Sequence, residues 1–541
     1  MPLKILDKPG RWVLPFLIFL YAVRLFYVSY LQLLPDEAYY WYWSTHLDWS
    51  YFDHPPMTAY IMAIFAALGT DSEFFVRVGG LLCSIVCLAL VYLAGKKLVP
   101  KNARFPWEVL AIANLTLLFS TGSIIQTPDT PMLLFWTAAF YCGVQIITEK
   151  KAFWWYLWGV ALGLGLLSKY TAVLLVPCQF AYLLISPSDR HWLARKEPYL
   201  ALLIGAIIFS PVILWNWQHE WVSFVYQSKH GFSPDRQRVG IKLLEYIGGQ
   251  ALIITPGIFA AFIFYSIKGF FLSVRERIPG YMYLVLFSWP VLLFFAVSTV
   301  VGDRAEANWP APAYVAGLLL MWAVYCRTSE NRKRSSKRLL YAALGLGVVI
   351  NAVVYVHLIR PVIPLPPNRD VTNQVHGWRD LGKQLDSLVE EHPHGNGYFL
   401  AAERGTALAE AVFYSKKIDI GINFNRPERY IFLGDTSYLM GKNALILVPT
   451  TDKGMLGKYE PHFESLTLAG RHQPRYRGEI INEFSFYIIL GQGYRGGWFQ
   501  FDRFAPRARS AAARQNPRPS GRGGFTCKGI PSHRLLLCGN S

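Results

Sequence analysis

Over the first 360 positions apolar residues come in long runs, neither alternating nor forming single amphipathic stripes. Runs of about 18 residues or more recur, each long enough to cross roughly 30 Å of hydrocarbon as a helix. They predict about eleven spans, at 12–34, 77–98, 106–124, 130–148, 154–168, 170–187, 199–217, 247–270, 281–299, 309–326 and 339–358. The first run lacks a small-residue cleavage site and is read as the first span. The apolar stretch at 57–70 is only about 14 residues long, which suits a helix lying in the interface better than a crossing. The pattern changes at 361–367, where four prolines in seven residues predict an extended linker. Beyond it, Trp378–Glu391 is predicted as an amphipathic helix. Short apolar runs at 444–448 and 484–490, set between Gly and Pro, are predicted as strands. The expected organisation is a transmembrane region over 1–358, a small extracytoplasmic α/β domain over 359–495 and a basic tail over 496–541 without periodicity, read as disordered.

Composition excludes an ordinary soluble protein, because 53% of the residues are hydrophobic and 16% aromatic. The net charge of +18 does not imply nucleic acid. Much of it sits in short loops: Lys96, Lys97, Lys101 and Arg104; Lys150 and Lys151; Arg190, Arg195 and Lys196; and the cluster at 327–338. The alternate loops are poorer in Lys and Arg, so the basic set is read as cytoplasmic and the segment after about 359 as external. None of the seven cysteines has metal or disulfide spacing.

With that topology the unusual polar residues fall on one side. Asp36 and Glu37 follow the first span and precede five aromatic residues; Asp53-His54 is held by Pro55-Pro56. Asp129 opens one span, Lys169 sits at the junction of two others, and Arg304 and Glu306 precede the span at 309–326. An aromatic belt accounts for Tyr39, Tyr40 and their neighbours. It does not account for ionisable groups at the edge of hydrocarbon, where they are costly and usually functional. Each residue has a plainer reading beside the functional one: helix capping for Asp36 and Asp129, a solvated turn for Asp53-His54, snorkelling for Lys169, a mutual ion pair for Arg304 and Glu306, and a solvated loop histidine for His219. On the functional reading, Asp36 is a general base toward an acceptor and Glu37 orients a partner. Lys169 and His54 would meet phosphate. A divalent metal with ligands from several loops is one alternative for Asp53-His54, although no H-x-x-H or Cys cluster supports a cage. The metal requirement stays open.

The segments Asp36-Glu37-Ala38-Tyr39-Tyr40-Trp41, Tyr51-Phe52-Asp53-His54-Pro55-Pro56, Thr127-Pro128-Asp129-Thr130-Pro131, Gly165-Leu166-Leu167-Ser168-Lys169-Tyr170-Thr171 and Glu306-Ala307-Asn308-Trp309-Pro310 resemble, in this order, bacterial members of the dolichyl-phosphate-mannose–protein mannosyltransferase superfamily. These include the lipid A aminoarabinose and galacturonic acid transferases. The resemblance implies an all-α polytopic GT-C fold and a sugar donor linked to polyprenyl phosphate. It implies that Asp36 is the catalytic carboxylate with Glu37 in support, and that Lys169 lies near a substrate phosphate. Asp53-His54 stands where the aminoarabinose transferases carry Glu-Lys, whose Glu helps hold a metal and whose Lys meets phosphate. Tyr39 or Tyr40 stands in place of their Arg after the acidic pair.

The expectation is a glycosyltransferase of the inner membrane that moves a sugar from a polyprenyl-phosphate donor to an extracytoplasmic lipid or envelope-glycan acceptor. Asp36 would be the base, and Tyr39, Tyr40, Asp53, His54, Asp129, Lys169, Arg304 and Glu306 would line the substrate site. A protein O-glycosyltransferase and a lipid-linked sugar flippase or transporter remain as alternatives. Transporters often carry internal repeats and midplane charges, whereas here the charges gather at one surface.

Overall fold

A computed structural model of the chain describes residues 10–69, 71–232, 239–302, 306–328, 334–366, 369–451 and 456–497. Arg304 and the expected disordered stretch beyond 497 lie outside these residues.

Among the described residues, seven helices are long and apolar enough to cross a membrane: Gly10–Tyr30, Glu73–Leu98, Asp129–Glu149, Glu197–Gln218, Pro256–Arg275, Gly280–Val301 and Lys337–Ile359. Several of the expected spans are interrupted. The run at 106–124 is helical over Phe105–Asn114 and then turns at Thr121–Ser123. Ten residues rise only about 15 Å, half the hydrocarbon thickness. The helix stops where Thr116 Oγ1 donates to the Ala113 carbonyl (2.7 Å), a side-chain bond that competes with the helical ladder. The run at 247–270 is cut into Val239–Ile253 and Pro256–Arg275. Thr255 there adopts φ +65°, outside helical geometry, and Pro256 opens the next helix at the first position, where its missing N–H costs nothing. The helix Ala311–Thr328 is buried from Ala311 through Tyr325. It is apolar all round because other helices enclose it.

The runs at 154–168 and 170–187 become the helices Phe153–Ser168 and Leu175–Ile185, joined by a 3-10 turn over Tyr170–Leu174. The 57–70 stretch is helical over Met57–Ala66. Phe153–Ser168 lies against Glu197–Gln218 with backbones nearly touching: a Cβ on Gly159 would come within 2.4 Å of the Ala201 carbonyl. Small residues of this kind let helices approach without a side chain between them.

The bundle has two chemically distinct ends. Asp129, Lys169 and Arg77 lie at one end of their helices. Lys97 and Glu149, ion-paired at 2.6 Å, lie at the other. The 21-residue helix Asp129–Glu149 separates the two by about 30 Å.

Among the described residues after 369 there are seven strands: β1 (Tyr398–Ala402), β2 (Gly421–Asn423), β3 (Asn443–Pro449), β4 (Ser465–His472), β5 (Arg475–Tyr476), β6 (Glu479–Ile480) and β7 (Phe486–Gln492). Five make a mixed sheet in the order β2-β1-β3-β7-β4, with β1 parallel to β2 and β3, and β7 antiparallel to β3 and β4. β5 and β6 form a separate ribbon. The central strands β1 and β3 are buried almost throughout, as parallel strands covered on both faces must be. Helix Trp378–Glu391 puts Trp378, Leu381, Leu385 and Leu388 into this core, at the spacing that the sequence predicts.

This region is not a separate ball on a linker. Tyr39, Tyr40, Trp41, Tyr42 and Trp43, from the loop after the first span, share one hydrophobic cluster with β1, β3 and β7. The Gly421 N–H donates to Tyr42 Oη (2.9 Å), and the Leu33 N–H donates to Tyr414 Oη (2.8 Å). Arg379 pairs with Glu73 at 2.6 Å.

Glu410, on the helix Gly405–Tyr414 that packs on this aromatic segment, is fully buried, and neither carboxylate oxygen has a hydrogen-bond partner among the described residues. Burial, then the negative charge of Glu37, pushes its pKa well above the ordinary glutamate value, while Arg77 opposes the shift. A carboxyl raised in the fold contributes stability below its unfolded pKa, and that stability is lost as pH rises toward the folded value. Replacing Glu410 with Gln is expected to raise Tm above wild type by an amount that grows as pH rises from about 5. Thermal unfolding across a pH series checks this; a difference that stays constant with pH would refute it.

Candidate active site

The helix Pro35–Ser44 begins with proline at its first position and two acidic residues in its first turn. Proline fits there because that N–H has no helical partner, and carboxylates are favoured beside the exposed N–H groups of a helix start. The two acids diverge because adjacent residues on a helix point to different faces. Glu37 turns inward and is fully buried. It takes a two-pronged contact from Arg77, Nε to Oε1 at 2.9 Å and Nη2 to Oε2 at 2.6 Å. It also accepts from the Leu34 N–H (3.0 Å) and the Gln126 N–H (2.9 Å). Arg77 in turn donates to the carbonyls of Leu31 (2.7 Å) and Gln32 (2.8 Å). Paired in sequence with Asp36 at the catalytic centre, Glu37 does not line the cavity in the fold. It is a positioning residue that ties the end of the first span to the loop before Asp129.

Asp36 turns the other way, into an open cavity of about 720 Å³. Tyr39, Tyr40, Asp53, His54, Asp129, Lys169 and Glu306 line the same space. Thus every sequence-predicted site residue among those described, apart from Glu37, meets at one cavity. The Asp36 carboxylate is exposed to it and accepts no hydrogen bond from a described residue. Surrounding protein mass, then the charge of Asp53, holds its pKa above the ordinary aspartate value, with Arg429 pulling the other way.

Two carboxylate–cation pairs border the cavity. On one side Lys169 Nζ meets Asp129 Oδ1 at 2.7 Å, and Asn308 Nδ2 donates to Asp129 Oδ2 at 2.9 Å. The ammonium stands 5.7 Å from the centre of the Trp309 ring. Lys169 caps the helix Phe153–Ser168 in extended geometry, so the break between two apolar helices delivers it to the cavity, and it does not snorkel to a surface. On the other side the buried Asp53 accepts from Tyr39 Oη (2.7 Å) and lies 3.2 Å from Arg429 Nη2. Gln227 Nε2 donates to the Asp53 carbonyl at 2.5 Å. Helix capping does not explain the acids: Leu34 and Pro128 occupy the cap positions before Asp36 and Asp129. His219, read as a solvated loop histidine, is buried instead and stacks on Trp215 at 4.1 Å between ring centres.

Sequence reasoning missed Arg429, Tyr226 and Gln227, which also line the cavity. Arg429 lies in a kinked 3-10 helix after β2, Pro427–Leu433, with no periodicity or motif in the sequence to mark it. Among the described residues no three His, Cys, Asp or Glu side chains gather as a metal-binding group. The residues around Asp53 do not fit the divalent cation that the resemblance implies there. Its oxygens are already engaged by a phenol and a guanidinium, and the guanidinium is itself a cation.

Residues 53–215 match the family model described as dolichyl-phosphate-mannose-protein mannosyltransferase. The lipid A galacturonosyltransferase RgtD of Rhizobium johnstonii is 27% identical over 308 residues, 56% of this chain. That alignment spans 62% of the relative's own length. The crystal structure of ArnT from Cupriavidus metallidurans bound to undecaprenyl phosphate superposes with a TM-score of 0.62 at 13% identity, covering 90% of this chain and 98% of that one. The apo form gives a TM-score of 0.61 at the same identity and coverage. At that identity the likeness is one of fold. This chain shares that polytopic, mostly helical fold, with a C-terminal α/β region. The resemblance read from the motifs around Asp36, Asp53 and Lys169 is borne out at the level of fold and family segment.

Breaking the Arg77–Glu37 pair from one side strands a buried charge, which costs about 3–5 kcal/mol. Glu37→Gln and Arg77→Met are each expected to lower Tm sharply in detergent, and the double variant to be less destabilised than the sum of the two. Single variants that melt with wild type would refute the positioning role.

Proposed function

We propose that this chain is a membrane glycosyltransferase that moves a sugar from a polyprenyl-phosphate donor to an extracytoplasmic lipid or envelope-glycan acceptor, with Asp36 as general base. The observation that carries the reading is the Asp36 carboxylate: without a hydrogen-bond or ion-pair partner among the described residues, open to the cavity and raised in pKa, beside ion-paired cations that suit a phosphate. The donor phosphate lies against Lys169, with His54 within the same cavity wall. Asp36 takes the proton of the acceptor hydroxyl as its oxygen attacks the anomeric carbon. The bond from that carbon to the phosphate oxygen breaks, and lipid phosphate leaves with the electron pair. Attack opposite the leaving group inverts the anomeric centre. Lys169 steadies the charge that grows on the phosphate. A carboxyl with a raised pKa is a stronger base once ionised, and so better matched to a hydroxyl.

The printed descriptions of the similar proteins support the choice of substrates. ArnT was solved with undecaprenyl phosphate, which supports a polyprenyl phosphate as leaving group here. RgtD is named a lipid A transferase, which supports a lipid acceptor. The basic loops at 96–104, 150–151 and 190–196 cluster at the end of the bundle away from the cavity. The positive-inside rule favours that end as cytoplasmic, which supports reading the cavity as facing the outer side of the inner membrane.

The test is transfer from a radiolabelled polyprenyl-phosphate sugar by the purified chain in nanodiscs. Asp36→Asn is expected to slow it by about 10²–10⁴. Because the ionised form is the base, the wild-type rate falls as pH drops through the folded Asp36 pKa. The midpoint of that acid limb is expected above the free aspartate value of about 3.9. Undiminished transfer by Asp36→Asn would reject the assignment. Lipid and glycan profiles of cells lacking the protein identify the acceptor.

A further inference from the structure

We infer that Arg429, donated by the C-terminal region, is a second phosphate-binding cation of the cavity, and that its pairing with Asp53 takes the place of the divalent metal that the resemblance implies. Transfer then needs no divalent metal. The inference rests on the glycosyltransferase reading and names a residue and a cofactor independence that the reading leaves open.

The guanidinium is held where a phosphate can reach it. Its central carbon stands 5.9 Å from the ring centres of both Tyr39 and Tyr226, so it sits between two aromatic faces. Nη2 makes both polar contacts, with Asp53 Oδ1 (3.2 Å) and Tyr226 Oη (3.1 Å). Nε is buried with no hydrogen-bond partner among the described residues, and Nη1 has no described partner. The side chain is 24% exposed, and it lines the cavity. A guanidinium presents its N–H groups in a plane that matches phosphate oxygens, so a group anchored through Nη2 with Nη1 unspent among the described residues is suited to an anion. Asp53, Arg429, Asp129 and Lys169 all line the cavity that Asp36 faces, so both ion pairs border it.

The same geometry disfavours a metal. A divalent cation on Asp53 would have to displace the Tyr39 hydroxyl or Arg429 from its oxygens. It would then sit beside a fixed positive charge, with no described trio of acidic or imidazole ligands to repay its lost hydration. Asp53 with Arg429 is neutral as a pair and still offers N–H donors to phosphate, which a carboxylate alone does not.

The experiment uses the full chain in nanodiscs, with and without EDTA. It reads metal content by elemental analysis, binding of undecaprenyl phosphate by tryptophan fluorescence, and transfer rate. EDTA is expected to leave binding and rate within about twofold of untreated protein. Arg429→Gln is expected to weaken undecaprenyl phosphate binding by about tenfold and to raise the donor KM with little change in the acceptor KM; Arg429→Lys, which keeps the charge, falls between. Tm of both variants reports folding, and the lysine variant serves as the test if the glutamine variant does not fold. Transfer abolished by EDTA and restored by a divalent cation would overturn the inference. So would wild-type binding by Arg429→Gln, or an effect confined to the acceptor KM, which would move the guanidinium to an acceptor phosphate. Should wild type form no glycosidic bond with any donor, the glycosyltransferase reading fails, while the binding arm still judges Arg429.

Discussion

The contact between Arg77 and Glu37 is the constraint on which the rest of the site depends. A guanidinium and a carboxylate, both fully buried, survive in such a place only if their donors and acceptors are met. Here they are met by backbone. Arg77 collects the carbonyls of Leu31 and Gln32, where the first span ends, and Glu37 collects the N–H groups of Leu34 and Gln126. Three chain segments far apart in sequence are thereby locked at one point. The helix start that carries Asp36 and the loop that carries Asp129 then have fixed positions relative to each other. Because Glu37 is spent inward, its neighbour on the helix must face outward, and the cavity receives one carboxylate where the sequence shows two.

The aromatic segment after Glu37 has a second task. An interface belt would place Trp and Tyr among lipid headgroups. Instead Trp41, Tyr42 and Trp43 are buried against the C-terminal sheet, and Trp43 stacks on Tyr51 with ring centres 4.3 Å apart. Only Tyr39 and Tyr40 also reach the cavity. The aromatics are thus a joint between membrane region and α/β region, and the joint carries Arg429 to Asp53. The C-terminal region is part of the cavity wall as well as an appendage to the bundle.

Polar groups in an apolar bundle are placed where helices break. Lys169 appears at the junction of Phe153–Ser168 and the following 3-10 turn, and Asp129 at the first residue of its helix. Helix ends are also where backbone N–H and carbonyl groups lack partners, so a cavity built from several of them is already polar before a substrate enters. Phe294, Phe295 and Leu174 add apolar side chains to the lining of that cavity.

What the sequence determined by itself was whatever follows from local pattern. Apolar run length marked the membrane region, basic loops sorted its two ends, and polar residues at run boundaries picked out Asp36, Asp53, Asp129, Lys169 and Glu306. The amphipathic spacing of Trp378–Glu391 and the apolar cores of β3 and β7 were equally readable. Run length alone did not show where apolar runs break, at Thr116, which bonds back to Ala113, and before Pro256; the rest fell to the tertiary structure. It alone separated Glu37 from Asp36, because the distinction rests on Arg77 some 40 positions away. It alone brought in Arg429, whose 3.2 Å contact with Asp53 joins residues 376 positions apart in the chain. Periodicity reports which face of an element is buried, and a partnership between two single residues at such separations leaves no periodic trace for it to report.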